Sequence, residues 1–124
     1  MLNPNVPAWF EIPATDLDRA QRFYETALGQ PLKRETMGEV ELVVFPYGGQ
    51  PMSSGALIRH EHCAPSMDGT TVYLSVGDLS VVLERLGKLD AQTVVPRTAL
   101  PEGMGFFAQF RDCEGNRVGL WSPV

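Results

Sequence analysis

One pattern occurs twice in this chain. "FEIPATDLDRAQRFYETALG", from Phe10, is a strand-like run followed by a patterned helix, and "VYLSVGDLSVVLERLGKLDA", from Val72, has the same layout. Aligning Asp16 with Asp78 matches Phe10, Ile12 and Leu17 to Val72, Leu74 and Leu79 at an offset of 62 residues. Further on, "SGALIR" from Ser54 matches "RVGLWS" from Arg117 at an offset of 63, pairing Ala56 with Gly119 and Leu57 with Leu120. Two offsets that differ by one imply a single insertion between two copies of one unit. Internal repetition of this kind governs the whole fold.

Within each copy the apolar period changes from 2 to 3.6. Phe10 and Ile12 alternate with Trp9 and Glu11, as in a half-buried strand. Thr15-x-x-Asp18 is placed to act as a capping box for the helix that follows. Leu17, Ala20, Tyr24, Ala27 and Leu28 then form one apolar stripe, ended by Gly29. In the second copy Leu79, Val82, Leu83 and Leu86 form the stripe after Asp78. Three short strand candidates follow each helix: 33–37, "VELVVFP" and "GALIR" in copy one, "QTVVP", "GFFAQF" and "NRVGLW" in copy two. "DCEGN" joins the last two, with Gly115 suited to a positive φ. Each unit reads βαβββ, and such a unit cannot cover both faces of its own sheet. The expected fold class is therefore α+β. Two modules, about 7–61 and 69–123 of a single domain spanning 1–124, stand in a pseudo-twofold arrangement. Their strands form a curved mixed sheet around a cleft, with the helices outside.

A chain of 124 residues, 44% hydrophobic, supports one compact core. Its formal net charge of −5 and the lack of a basic run make nucleic acid and anionic membranes poor partners. No apolar stretch approaches the roughly 20 residues that span a bilayer. "MLNPNVPAW" has neither a cationic start nor an apolar core, so a cytoplasmic location is expected, with Cys63 and Cys113 as free thiols.

Strand parity sorts the cleft wall. Phe10 and Ile12 face the helices, leaving Trp9 and Glu11 on the other side; Thr71, Tyr73 and Ser75 oppose Val72 and Leu74. Phe107, Gln109 and Arg111 oppose Phe106, Ala108 and Phe110, and Arg117, Gly119 and Trp121 oppose Val118 and Leu120. The ligand-binding candidates are Trp9, Tyr73, Phe107, Gln109, Arg117 and Trp121, an aromatic wall with a few orienting polar groups. Glu11 is the catalytic candidate, because a carboxylate among aromatics is costly unless paired or protonated. Each residue also has a plainer reading. Trp9 and Trp121 can plug the hollow or cover a dimer interface, Arg111 and Arg117 flank a hairpin where side chains are usually exposed, and an arginine can pair with Glu11. Tyr24 belongs to the helix core, and Cys113 sits in a turn with nothing nearby to activate it. "YGGQPMSSG" reads as a mobile loop at the cleft mouth.

The βαβββ repeat, "DLDRAQRFYETALG" and "FRDCEGNRVGLW" together resemble the vicinal oxygen chelate superfamily, which includes glyoxalase I, extradiol dioxygenases, methylmalonyl-CoA epimerase and bleomycin resistance proteins. The resemblance covers essentially the whole chain. It implies a cleft that often holds a divalent metal, and short chains that dimerise. It also implies metal ligands seven residues before the helix-opening aspartate and on the last strand of each module. Those positions are Trp9, Thr71, Ala56 and Gly119, none of which offers a normal donor to Zn2+, Mg2+, Mn2+ or Fe2+. No metal or other cofactor is therefore expected. The rival cluster "RHEHC" reads as a solvated connection between modules, since Pro65, Met67 and Gly69 follow it.

Three functions are compatible with this chain. The first is a glyoxalase-, bleomycin-resistance- or dioxygenase-like protein whose aromatic cleft binds a small organic molecule without metal, either sequestering it or moving a proton through Glu11. The second is a metal-dependent lyase or isomerase of glyoxalase type with displaced ligands such as Glu11, His60 or Glu61. The third is a non-catalytic dimeric module. A homodimer is expected in each case, because free sheet edges and apolar surface near Trp9 or "GLWSPV" need cover.

Overall fold

The computed structural model describes residues 1–4, 6–48 and 54–124. The first copy of the repeat gives β1 (Trp9–Pro13), α1 (Leu17–Leu28), β2 (Lys33–Met37), β3 (Val40–Val44) and β4 (Ser54–Ile58). The second gives β5 (Val72–Ser75), α2 (Leu79–Lys88), β6 (Thr93–Ala99), a short 3-10 turn (Pro101–Gly103), β7 (Phe106–Arg111) and β8 (Arg117–Ser122). The strands form two four-stranded sheets of the same topology, β1-β4-β3-β2 and β5-β8-β7-β6. In each, the first strand runs parallel to the last and the other pairs are antiparallel. The fold is α+β, with two mixed sheets in place of one continuous curve: no ladder among the described residues joins β1 to β5.

The two sequence offsets are visible as register. Glu11 stands beside Ala56 in the first sheet, and their counterparts Tyr73 and Gly119 stand beside each other in the second. Helix-facing residues of both sheets and both helices merge into one core that includes Ile12, Tyr24, Leu57, Leu79, Phe110 and Leu120. A smaller cluster of Leu42, Val44, Ala56 and Ile58, with Trp9 packed on it, occupies the opposite face of the first sheet.

Helix entry differs from the expected capping box. Asp16 caps α1, its carboxylate accepting from the Arg19 N–H at 3.0 Å. Asp78 does the same for α2 through the Ser80 N–H. The Thr15 hydroxyl is drawn away by Glu114, to which it donates at 3.0 Å, and Asp18 pairs with Arg34 at 2.6 Å. Gly29 closes α1 at φ 69°, as a C-terminal glycine does. Edge strand β6 extends beyond "QTVVP" to Ala99 and slips register twice along β7, around Pro96, which has no N–H to give.

The "DCEGN" hairpin ties the halves of the molecule together. Buried Asp112 accepts from the backbone N–H groups of Glu114, Gly115 and Asn116 at 2.9, 2.9 and 2.8 Å and from the Tyr24 hydroxyl of α1 at 2.6 Å. The Glu114 carboxylate accepts from the N–H groups of Thr15 and Asp16 at 2.8 and 3.0 Å and pairs with Arg19 at 2.6 Å. Asn116 donates to the Pro13 carbonyl at 2.7 Å. The second module thus holds the residues that lead into the helix of the first.

Candidate functional site

The aromatic wall assembles on the open face of the second sheet. Tyr73 on β5, Phe107 on β7 and Trp121 on β8, joined by Leu100, line an apolar depression of about 350 Å3. Adjacent strands bring them together: Phe107 stands opposite Trp121, and Tyr73 beside Gly119. A Cβ at Gly119 would collide with the Tyr73 ring, so the glycine is the seat on which the ring lies. Tyr73 and Phe107 meet edge-on with centroids 6.2 Å apart. The Trp121 indole donates to the Met104 carbonyl at 2.9 Å, which fixes its plane. Although it lies on a sheet face, Tyr73 stays 45% exposed.

Gln109 and Arg117 stand behind this wall. Arg117, half-buried, donates through Nε to the Met67 carbonyl at 3.0 Å and through Nη1 to Gln109 Oε1 at 2.9 Å. Gln109 Nε2 donates in turn to the Tyr73 hydroxyl oxygen at 2.6 Å. Five of the expected wall residues, Tyr73, Phe107, Gln109, Arg117 and Trp121, are therefore contiguous. Leu100 was not anticipated. It reaches the wall because "LPEGMG" folds back on itself, with the Leu100 N–H donating to the Gly105 carbonyl at 2.8 Å. The density of Pro and Gly there is the one sequence signal that marks such a return.

Trp9 and Glu11 lie elsewhere. Trp9 packs on Leu42, Val44, Ala56 and Ile58 of the first sheet and does not line the Tyr73 depression. Glu11 is exposed, so it is not the desolvated carboxylate that an aromatic surrounding implied. It lines a separate cavity of about 350 Å3 with Phe10, Ile12, Val72, Arg117 and Val118. It forms no ion pair with Arg111, which is exposed, or with Arg117.

The donor set does not fit a metal. Trp9, Ala56, Thr71 and Gly119 offer indole, methyl, a neutral hydroxyl and no side chain, and the space at Gly119 is filled by Tyr73. The displaced set of Glu11, His60 and Glu61 is not gathered either. His60, Glu61 and Cys63 line a different hollow, with Arg59 and Val40. That segment is a turn and not extended: the Cys63 N–H donates to the His60 carbonyl, and the His62 N–H occupies His60 Nδ1 at 3.1 Å. Among the described residues no group of three or more His, Cys, Asp or Glu side chains is placed to hold a metal ion. The expected mobile loop at the cleft mouth falls mainly on residues 49–53, outside the described residues.

Cys113 is partly buried. Burial first, then the hydrogen bond to Glu114 and its charge, push the thiol up to about 12, so it remains protonated near neutrality. Burial, then the Asp112 charge and hydrogen bond, likewise push the Tyr24 phenol up and keep it a donor. Neither group has the character of a nucleophile or base.

Comparison with known proteins agrees with this fold. A profile of the bleomycin resistance protein-like N-terminal family matches residues 8–46, which hold β1, α1, β2 and β3. A glyoxylase-like domain-containing protein of Didymella fabae is 27% identical over 109 residues, covering 86% of this chain and 84% of that protein. The crystal structure of UcmS2 superposes with a TM-score of 0.66 at 25% identity, covering 93% of this chain and 96% of the other. TnmS3, an antibiotic binding protein from Streptomyces sp. CB03234, shares the fold with a TM-score of 0.65 at 19% identity, over 95% of each chain. Among the described residues no helix is long and apolar enough to cross a membrane.

Proposed function

We propose that this chain, which belongs to the vicinal oxygen chelate superfamily, binds a small, flat organic molecule on the open aromatic face of its second sheet. The observation that carries this reading is the depression formed by Tyr73, Leu100, Phe107 and Trp121, with Tyr73 45% exposed on a seat that only glycine permits. A rigid aromatic surface left open to solvent costs hydrophobic free energy that a stacked ligand recovers. Preset hydrogen bonds to Tyr73 and Trp121 reduce the ordering cost of binding. The antibiotic-binding neighbour of the same fold is consistent with this use of it. The mode is metal-independent, since the ligand positions carry no suitable donors. Glu11 belongs to a separate cavity, where its carboxylate and Arg117 are two of the polar groups and do not pair.

A thermal-shift screen of small aromatic compounds tests the site, because a ligand that binds only the native state raises Tm. Hits are expected with the wild type and with Trp9→Phe, and lost in Trp121→Ala. Hits that survive Trp121→Ala would move the site elsewhere, and a hit lost in Glu11→Gln would move it to the separate cavity that Glu11 lines.

We also infer a homodimer. Each sheet ends in strands with one unladdered edge among the described residues, and apolar Met104 stands exposed beside β8. Light scattering at micromolar concentration is expected to give about twice the 13.7 kDa chain mass. A mass of one chain would overturn the inference.

A further inference from the structure

We propose that the aromatic site selects flat apolar molecules carrying a hydrogen-bond-accepting oxygen at their edge, which the Tyr73 hydroxyl receives; this rests on the reading of the site given above. Polarity is set at Arg117. A guanidinium only donates, and its Nη1 lies 2.9 Å from the Gln109 side chain. The Gln109 atom facing Arg117 is therefore the amide oxygen, which leaves the amide nitrogen facing Tyr73 at 2.6 Å. An amide N–H also only donates, so the phenolic oxygen accepts and its own proton is left without a protein acceptor among the described residues.

The surroundings make that proton decisive. Of the four side chains lining the depression, Leu100 and Phe107 are wholly apolar, and the Trp121 N–H is committed to the Met104 carbonyl. Tyr73 alone among them offers an unbonded polar hydrogen. Its ring is held by the seat at Gly119 and its oxygen by Gln109, so the hydroxyl is restricted before a ligand arrives. A ketone or carboxylate oxygen at the edge of an apolar ring satisfies it, and a pure hydrocarbon edge leaves it facing carbon. The chain Arg117 to Gln109 to Tyr73 thus acts as a polarity relay, in which a cation at the rear fixes the direction of the bond offered at the front.

The test compares two nearly isosteric probes, 2-acetylnaphthalene and 2-isopropenylnaphthalene, of which only the first carries an acceptor. The chain has two tryptophans, so the Trp121 indole N–H signal reports the site by NMR and that of Trp9 serves as an internal control. One neutral hydrogen bond should make the wild type bind the acetyl probe roughly threefold to tenfold more tightly. Tyr73→Phe removes the donor and should erase the difference. Gln109→Glu keeps the shape but supplies an oxygen to both Arg117 and Tyr73. The phenol proton then turns inward, and the preference should disappear while the isopropenyl probe still binds. Equal affinity for both probes in the wild type, or a preference that persists in Tyr73→Phe and Gln109→Glu, would overturn the relay and leave the aromatic site standing. Failure of both probes to move the Trp121 signal would overturn both the relay and the site.

Discussion

At the scale of single residues, Glu114 concentrates the most interactions. Its side chain is 1% exposed, yet it is charged, which is tolerable only because the charge is fully met. Burial by itself would raise its carboxyl. The bonds from Arg19, the Asp16 N–H, the Cys113 thiol and the Thr15 N–H outweigh that and hold it at about 2, against an ordinary 4.5. A carboxyl depressed in the folded state binds protons more readily once unfolded. Its contribution is therefore complete above pH 4.5 and is lost as pH falls from there towards 2. Glu114→Gln should cost about 1–3 kcal/mol near neutrality, because a charge-assisted pair and two backbone hydrogen bonds are weakened together. It should also flatten the decline of stability between pH 4.5 and 2. Urea titrations of both proteins across that range check this, and a variant with the wild-type acid slope would show that other carboxyls cause it.

At the scale of elements, what the sequence makes legible is local. The period change from 2 to 3.6, the aspartate before each helix and Gly29 after the first give the order of strands and helices. The strand expected around 33–37 is β2. Parity also identifies which side of a strand is which: Phe10 and Ile12 join the helix-side core, and Trp9 joins the opposite cluster. Parity does not say which residues of one face share a cavity. Trp9 and Tyr73 have equivalent orientations in their own sheets, but the sheets are separate, so their side chains line different surfaces. The cap of α1 was misread for a related reason. Thr15 has the residue type and spacing of a cap, but its hydroxyl is claimed by Glu114, 99 residues away, and Asp16 takes the role. Leu100 belongs to no periodic segment and enters the site through a turn. Long-range partners and returning loops decided each of these departures, and neither leaves a local periodic signal.

At the scale of the whole molecule, the two copies differ in one respect that bears on how the chain unfolds. The signature motifs "DLDRA" and "DCEGN" lie in different copies and close on each other, Arg19 with Glu114 and, one turn on, Tyr24 with Asp112. The core is equally shared: Phe23 and Tyr24 of α1 pack within 6.3 Å of Phe110 on β7, ring centre to ring centre. If one module opened alone, it would leave Asp112 buried or half-buried without Tyr24 and expose helix-facing apolar surface on both sheets. Both costs are large compared with the total stability of a domain this size. We therefore expect the modules to unfold together, and the positions of the two tryptophans allow a direct check. Trp9 packs on the first sheet and Trp121 on the second. Trp121→Phe leaves fluorescence that reports only the first, and Trp9→Phe leaves fluorescence that reports only the second. In each variant, the urea midpoint seen by the remaining tryptophan should coincide with that seen by far-UV circular dichroism of the same protein. Tyr24→Phe, which deletes the 2.6 Å bond to Asp112, should cost about 1–3 kcal/mol of stability and lower both midpoints together. Non-coincident transitions within either variant, or a Tyr24→Phe effect confined to one tryptophan, would show that the modules fold as separate units and that the hairpin only ties them together.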